Sequence, residues 1–253
     1  MGQAPAAGHA LAVLRLLASR AAPLPAAAIA RELGIPRSSL YRVLGVLTEQ
    51  GFVAHMREQS RYGLGVAAFE LGAAYTRQEP LRWLARASLE RLVAATSEHG
   101  HFATLHGRDV LYLIEQRSPG RPPLVTDVGV RLPANLTASG LAMLAALPSV
   151  QLTALFPARA AFTRRGSGGP SSPAELRGVL AKVRQQGHAE EDGWVTDGFA
   201  SVACPVLDAR GHPLAAIALT FPATEADGAR RRALAEQVRA AAGEVARGAR
   251  SSR

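Results

Sequence analysis

Between residues 29 and 64 the apolar positions change period twice. Ile29, Ala30 and Leu33 outline one turn of a short helix. Leu40, Val43, Leu44 and Leu47 then fall at i, i+3, i+4 and i+7, a single stripe of a second helix. Residues 52–54 and 61–64 follow as two short strands around the polar tip Arg57-Glu58-Gln59-Ser60. Gly34 lies where the chain must reverse between the helices, and Pro36 suits the first turn of the second one. With the leucine stripe turned inward, Arg37, Ser38, Tyr41, Arg42 and Gly45 remain outside, near the helix start. Helix, glycine, helix and basic-tipped hairpin predict a winged helix-turn-helix, whose second helix contacts base edges and phosphates. A plain helical hairpin in an all-α core would also carry the stripe. It does not account for the hairpin, or for the helix expected over 9–20 with Ala10, Leu14 and Leu17 on one face.

A helical pattern continues over 66–78 through Phe69, Leu71, Ala74 and Tyr75, Pro80 interrupts it, and a further helix is expected from 81 to about 96. Two β-like runs, 102–106 and 110–116, flank the turn Gly107-Arg108-Asp109. A helix is expected over 137–147 and another over 174–186, ended by Gly187. Strands over 201–207 and 214–221 are joined by residues 208–212. The Gly/Ser/Pro-rich stretch 166–173 reads as locally disordered. Helices and antiparallel hairpins in mixed order indicate an α+β domain. At 253 residues the chain exceeds a DNA-reading module of ~70 residues, so a second domain of ordinary size must follow it.

Composition narrows the classes. Hydrophobic residues make up 48% and charged residues 19% of the chain, enough for a normal core, and no apolar run reaches the ~18 residues of a membrane span. The start lacks Lys or Arg ahead of its apolar stretch, which Arg15 interrupts, so no export signal is read. The one cysteine, Cys204, precludes an internal disulfide framework, suits a reducing cytoplasm and reads as a core thiol rather than a redox sensor. A net charge of +9 favours polyanionic partners. Seven arginines against four glutamates lie within residues 1–75, and seven against two within 228–253, where a solvated helix face is expected. His99, His101 and His106 are close in sequence, but on a strand His101 and His106 face opposite sides, so no metal site is expected. Glu190-Glu191-Asp192 has no partner nucleophile and reads as a solvated turn, with Glu191 able to wall a pocket. Residues 166–170 lack the Lys-Ser/Thr continuation of a phosphate loop, and no cofactor is expected.

Four segments in order carry a family resemblance. They are GIPRSSLYRVLGVLTEQGFV with the following RYGLG, GVRLPANLTASGLAMLAAL, Gly187-His188-Ala189 with DGWVTDGFASVACPVLD, and PLAAIALTFP. Together they resemble the IclR-type transcriptional regulators over nearly the whole chain. The resemblance implies an N-terminal winged helix-turn-helix over 1–66, a linker helix over 67–80 and a GAF-like effector-binding domain with an antiparallel sheet over 81–253. It further implies a homodimer or tetramer on double-stranded operator DNA, responding to a small organic molecule such as a carboxylate or an aromatic metabolite. Arg37, Ser38, Ser39, Tyr41 and Arg42 match the start of the family's recognition helix, and Arg57 and Arg61 of the wing are placed to neutralise flanking phosphates. Tyr62 is expected in the wing core. Ala138, Ser139, Gly140, Glu191 or Asp192, Ser201 and Thr220 match its effector pocket. Leu141, Trp194, Ala218 and Cys204 depart from the family pattern, in the direction of a less polar pocket and a larger or more aromatic ligand.

The expected function is that of a cytoplasmic, ligand-responsive regulator, a repressor of a catabolic or secondary-metabolic operon released by a metabolite. An architectural DNA binder without effector and an enzyme with a winged-helix appendage are the alternatives. The second would need a nucleotide loop and a catalytic lysine, whereas Lys182 is the only lysine and lies in an amphipathic helix.

Overall fold

Gly34 adopts the left-handed backbone, φ 64°, that closes one helix and releases the chain into the next. The computed structural model describes residues 4–78, 80–122, 124, 126–165 and 168–251 and divides into two units, Met1–Glu79 and Pro80–Arg253. The first contains α1 (Pro5–Ala18), β1 (Leu24–Pro25), α2 (Ala26–Leu33), α3 (Arg37–Glu49), β2 (Val53–Met56), β3 (Arg61–Leu64) and α4 (Val66–Gln78). Its three-stranded antiparallel sheet has the order β1-β3-β2. Leu40, Val43, Leu44 and Leu47 of α3 are buried against Ile29 of α2 and Val13, Leu16 and Leu17 of α1. Burying each such side chain stabilises the unit by about 1.5–3 kcal/mol.

Three details differ from the sequence reading. Pro36 precedes α3 as its N-cap, its carbonyl accepting from Leu40 N–H at 2.9 Å, rather than standing within the first turn. The buried face of α1 is Val13, Leu16 and Leu17, with Ala10 and Leu14 only at its border; the apolar positions on either side of Arg15 offer several stripes, and packing on α3 selects one. The two-residue strand β1 is too short to leave a periodic trace.

The second unit comprises α5 (Pro80–Thr96), β4 (His99–His106), β5 (Asp109–Gln116), β6 (Arg131–Pro133), α6 (Ala138–Ala146), α7 (Ser149–Leu155), α8 (Pro173–Gln186), β7 (Ala189–Asp192), β8 (Phe199–Leu207), β9 (Pro213–Pro222) and α9 (Gly228–Ser251). Its strands form one antiparallel sheet in the order β6-β5-β4-β9-β8-β7. Strand alternation sorts the side chains into two cores. Phe102, Val202, Cys204, Ile217, Leu219 and Phe221 pack against Leu89 of α5 and Val238 of α9. Tyr112, Ala203, Ala216 and Ala218 lie on the opposite core with Leu141 and Leu144 of α6 and Leu180 of α8. Both faces are therefore covered by helices, which is why β8 and β9 read as almost unbroken apolar runs.

The charged triplet 190–192 is not a solvated turn but part of β7, paired with β8 through Glu190↔Val202, Glu191↔Ser201 and Asp192↔Ala200. As an edge strand it forms only one ladder and tolerates charge on its outer side. The stretch 166–173 is ordered where it is described: Asn135 Nδ2 donates to Pro170 O at 3.1 Å, and Ser172 caps α8 by accepting from Glu175 N–H at 3.3 Å. Glu175 in turn accepts from Ser171 N–H at 2.8 Å, so Ser171-Ser172-Pro173-Ala174-Glu175 holds a capping arrangement that the Gly/Pro content masked. Gly166 and Ser167 lie outside the described residues.

Thr137 caps α6, accepting from Gly140 N–H at 3.0 Å, and a Cβ on Gly140 would stand 2.2 Å from Ala134 O. Gly140 is thus a site of close backbone contact, a packing requirement that its reading as a ligand-lining residue did not include. Gly140→Ala is expected to destabilise the protein by about 1–3 kcal/mol through overpacking, whereas Gly178→Ala on α8, with nothing within 4 Å of its Cβ, should be neutral or stabilising by up to about 1 kcal/mol. Chemical denaturation of the two variants checks this; equal stability would mean that the Ala134 backbone yields freely.

Candidate functional site

In the first unit the solvent side of α3 carries Arg37, Ser38, Tyr41, Arg42 and Gly45, all exposed, with Ser39 half-buried at the rim. No side chain caps the helix start, so the first backbone N–H groups stand beside two hydroxyls and two guanidinium groups. Such a start can accept phosphate oxygens, and an arginine can make a bidentate contact with phosphate or with a guanine edge. Tyr41 is 56% exposed, too much for a core residue.

The wing presents Arg57 on a 3-10 turn over Arg57–Gln59, with Ser60 in the left-handed conformation behind it. Arg61 is exposed, but its Nη1 donates to Pro23 O at 2.9 Å, tying β3 to the β1 edge and leaving part of the guanidinium free. Tyr62 is buried and stacks on His55 with ring centroids 4.3 Å apart. The wing core is therefore aromatic, and Arg57 and Arg61 are exposed at and beside its tip.

In the second unit, Ser201 and Thr220 are opposite one another on β8 and β9, and Glu191 is opposite Ser201 on β7. Ser201 Oγ donates to Glu191 Oε1 at 2.7 Å and lies 2.9 Å from Thr220 Oγ1. Trp194 N–H donates to the other Glu191 oxygen at 3.1 Å. Burial raises the Glu191 pKa to about 6, against the pull of the Ser201 hydroxyl and the Trp194 and Val195 N–H groups and with the added push of Asp192. The face is closed by Ala138 and Ser139, both buried in the first turn of α6. Burial also pushes the Tyr112 hydroxyl pKa upward, Glu191 adding to the rise and the Ser139 side chain opposing it.

Of the predicted pocket residues, Glu191, Ser201 and Thr220 form one bonded chain, and Ala138 and Ser139 lie on the helix covering the same core. Asp192 does not join them: alternation turns it outward, where its Oδ2 meets Arg231 Nη2 of α9 at 2.7 Å. A groove of about 560 Å³ beside the β4–β5 turn, lined by His106, Arg108, Asn135 and Phe162 among others, includes none of these residues. Cys204 is buried on the opposite core and its thiol pKa is pushed up to about 12 by that burial, which leaves no thiolate for redox chemistry.

Two buried residues on this side are not pocket residues in the sequence reading, which weighs His101 only as a metal ligand and Tyr112 only as part of a strand. His101 and Tyr112 meet edge to face, centroids 5.5 Å apart. The available signal was the alternation along β4, which separates His99 and His101 from Gly100 and Phe102. Among the described residues no group of three or more His, Cys, Asp or Glu is placed to hold a metal ion, and no helix is long and apolar enough to cross a membrane.

Comparison with known proteins matches residues 6–56 to the IclR helix-turn-helix domain and residues 73–247 to the bacterial transcriptional regulator IclR C-terminal domain. The glycerol operon regulatory protein of Streptomyces coelicolor is 32% identical over 212 residues, 84% of this chain and 82% of that protein. Among solved structures, an IclR-type regulator from Alicyclobacillus acidocaldarius superposes with a TM-score of 0.86 at 23% identity, covering 98% of this chain and 99% of that one. A homologue from Microbacterium hydrocarbonoxydans, in complex with 4-hydroxybenzoate, gives a TM-score of 0.81 at 24% identity over 96% of this chain and 98% of that one. These two superpositions establish a shared fold.

The raised Glu191 pKa has a defined sign. A carboxyl that holds its proton more tightly when folded contributes stability below its unfolded pKa of 4.5, and that contribution is lost as the pH rises through about 6. Glu191→Gln keeps an acceptor for Ser201 and removes the titration. The stability advantage of Glu191→Gln over wild type is expected to shrink by about 2 kcal/mol between pH 7.5 and 4.5, followed by paired melts; a difference independent of pH would show that folding leaves the Glu191 pKa unchanged.

Proposed function

The chain belongs to the IclR family of bacterial transcriptional regulators, and from that premise we propose that it is a metabolite-released repressor whose homodimer reads a palindromic operator. It is a DNA-binding regulator and not an enzyme. The observation that carries the proposal is the exposed, uncapped start of α3, where Arg37, Ser38, Tyr41 and Arg42 face solvent around a fully packed leucine stripe. In this reading Arg42 contacts a base edge, Arg37 and the serines hold phosphates with Ser39 at the rim, Tyr41 packs against the backbone, and Arg57 and Arg61 neutralise the flank. Residues 1–66 form the reader, 67–80 the linker and 81–253 the effector-binding domain, acting in the cytoplasm where the DNA lies.

The α6-covered sheet face holds the effector, with Glu191, Ser201 and Thr220 as its polar wall and Ala138 and Ser139 at the helix start. Gly140 keeps α6 close to the sheet and Asp192 stays outside. The proposed ligand is a small hydroxylated or aromatic organic molecule, in keeping with the 4-hydroxybenzoate held by the Microbacterium homologue. It must bind two arrangements of the regulator with different affinity, since equal affinity would shift nothing. A dimer is supported by Val66, Phe69 and Leu71 of α4, which are 64–76% exposed and apolar.

Selection of genomic fragments by the purified protein tests the proposal, a shared palindrome with half-sites about 34 Å apart being expected. Arg42→Ala should lower operator affinity by about 1–3 kcal/mol and relax one base position; uniform weakening with a shallower salt dependence would place Arg42 on phosphate. Phe69→Glu is expected to shift sedimentation from dimer toward monomer, and an unchanged dimer would remove α4 from the interface.

A further inference from the structure

We propose that His101 selects the effector, its imidazole meeting a hydroxyl group of the bound molecule; this rests on reading the α6-covered face as the effector site. His101 is 1% exposed, and neither of its ring nitrogens has a hydrogen-bond partner. Buried polar groups are normally satisfied. Its neighbour shows how a structural histidine on this strand behaves. His99, two residues earlier and on the same face, accepts from Ser118 N–H through Nδ1 at 3.2 Å, and its Nε2 is 2.9 Å from Pro122 O. His99 pins the 117–122 segment. His101 touches Tyr112 edge to face but makes no hydrogen bond.

The register explains why this matters. One row across the sheet runs His99, Thr220, Ser201, Glu191, and the next runs Glu115, His101, Ala218, Ala203, Ala189. In the first row the polar groups are taken up by one another or by backbone. In the second, Glu115 is engaged by Arg117 Nε at 3.2 Å and the three alanines offer only methyl groups, so the imidazole between them has both its donor and its acceptor unused. Burial, reinforced by His99, lowers the His101 pKa to about 3, so the ring is neutral at physiological pH, with one N–H donor and one acceptor nitrogen. A hydroxyl can accept from the N–H or donate to the other nitrogen. A carboxylate can only accept, and a hydrocarbon edge does neither. A buried hydroxyl without a partner, Thr126 Oγ1, lies a few residues beyond the segment that His99 pins.

The test uses the full chain, matched ligand pairs (benzoate with 4-hydroxybenzoate, propanoate with lactate) and the variants His101→Leu, His101→Asn and Ser201→Ala. In calorimetry the hydroxylated member of at least one pair is expected to bind wild type about tenfold more tightly. That preference should fall below about twofold in His101→Leu and survive in part in His101→Asn. Without ligand, His101→Leu should melt no lower than wild type, because it removes two unmet polar atoms. A lowered melting temperature would give the ring a packing role and overturn the proposal. A hydroxyl preference intact in His101→Leu, with binding weakened by Ser201→Ala, would overturn His101 alone and leave the effector face standing. Absence of binding to wild type by every member would overturn both.

Discussion

A six-stranded sheet buried on both faces leaves no place for a polar side chain unless something inside the protein answers it. An unpaired buried donor or acceptor costs about 1–3 kcal/mol, comparable to what burying one leucine contributes. The α5/α9 face meets this constraint with apolar residues such as Phe102, Val202, Ile217 and Phe221. The α6/α8 face does not: Glu191, Ser201 and Thr220 run across it as a bonded chain, and His99 is answered by the backbone of residues 118 and 122. The asymmetry between faces separates a purely structural layer from one that can address a ligand.

The same contrast determines what was legible in the sequence. Where an element has one buried side, its period is visible: the stripe Leu40, Val43, Leu44, Leu47 defined α3 and, by exclusion, the exposed residues around Arg42. Gly34 marked the turn because only a residue without Cβ takes φ 64° freely. In the second unit both sides are buried, so β8 and β9 were recognisable as apolar runs while their facing was not. The edge strand β7 was hidden by three consecutive acids, and β1 and β6 were too short to carry a period. Strand register, which aligns Glu191 with Ser201 and Thr220, depends on contacts far apart in the chain and left no local trace.

Glycine positions divide in a similar way. Gly140 occurs in a segment whose family resemblance points to a pocket, yet its missing side chain is required by the Ala134 backbone 2.2 Å from where a Cβ would stand. A motif can thus border a binding face while its central residue serves packing. Ser139, the residue before it, is buried in the first turn of α6 and bears on the Tyr112 hydroxyl.

Electrostatics follow the same logic in the two units but with opposite consequences. On α3 the arginines are exposed and solvated, so their attraction to phosphate is long-ranged and weakened by salt. On the buried face ionisation is disfavoured instead: burial raises the Glu191 pKa to about 6 and holds His101 neutral. A low-dielectric face that disfavours ionisation discriminates between ligands through hydrogen bonds rather than net charge, because an unmatched donor or acceptor cannot be compensated by water. The exposed basic face of α3 thus answers to ionic strength and base-edge geometry, whereas the buried face of the sheet answers to the number and placement of its hydrogen-bonding groups.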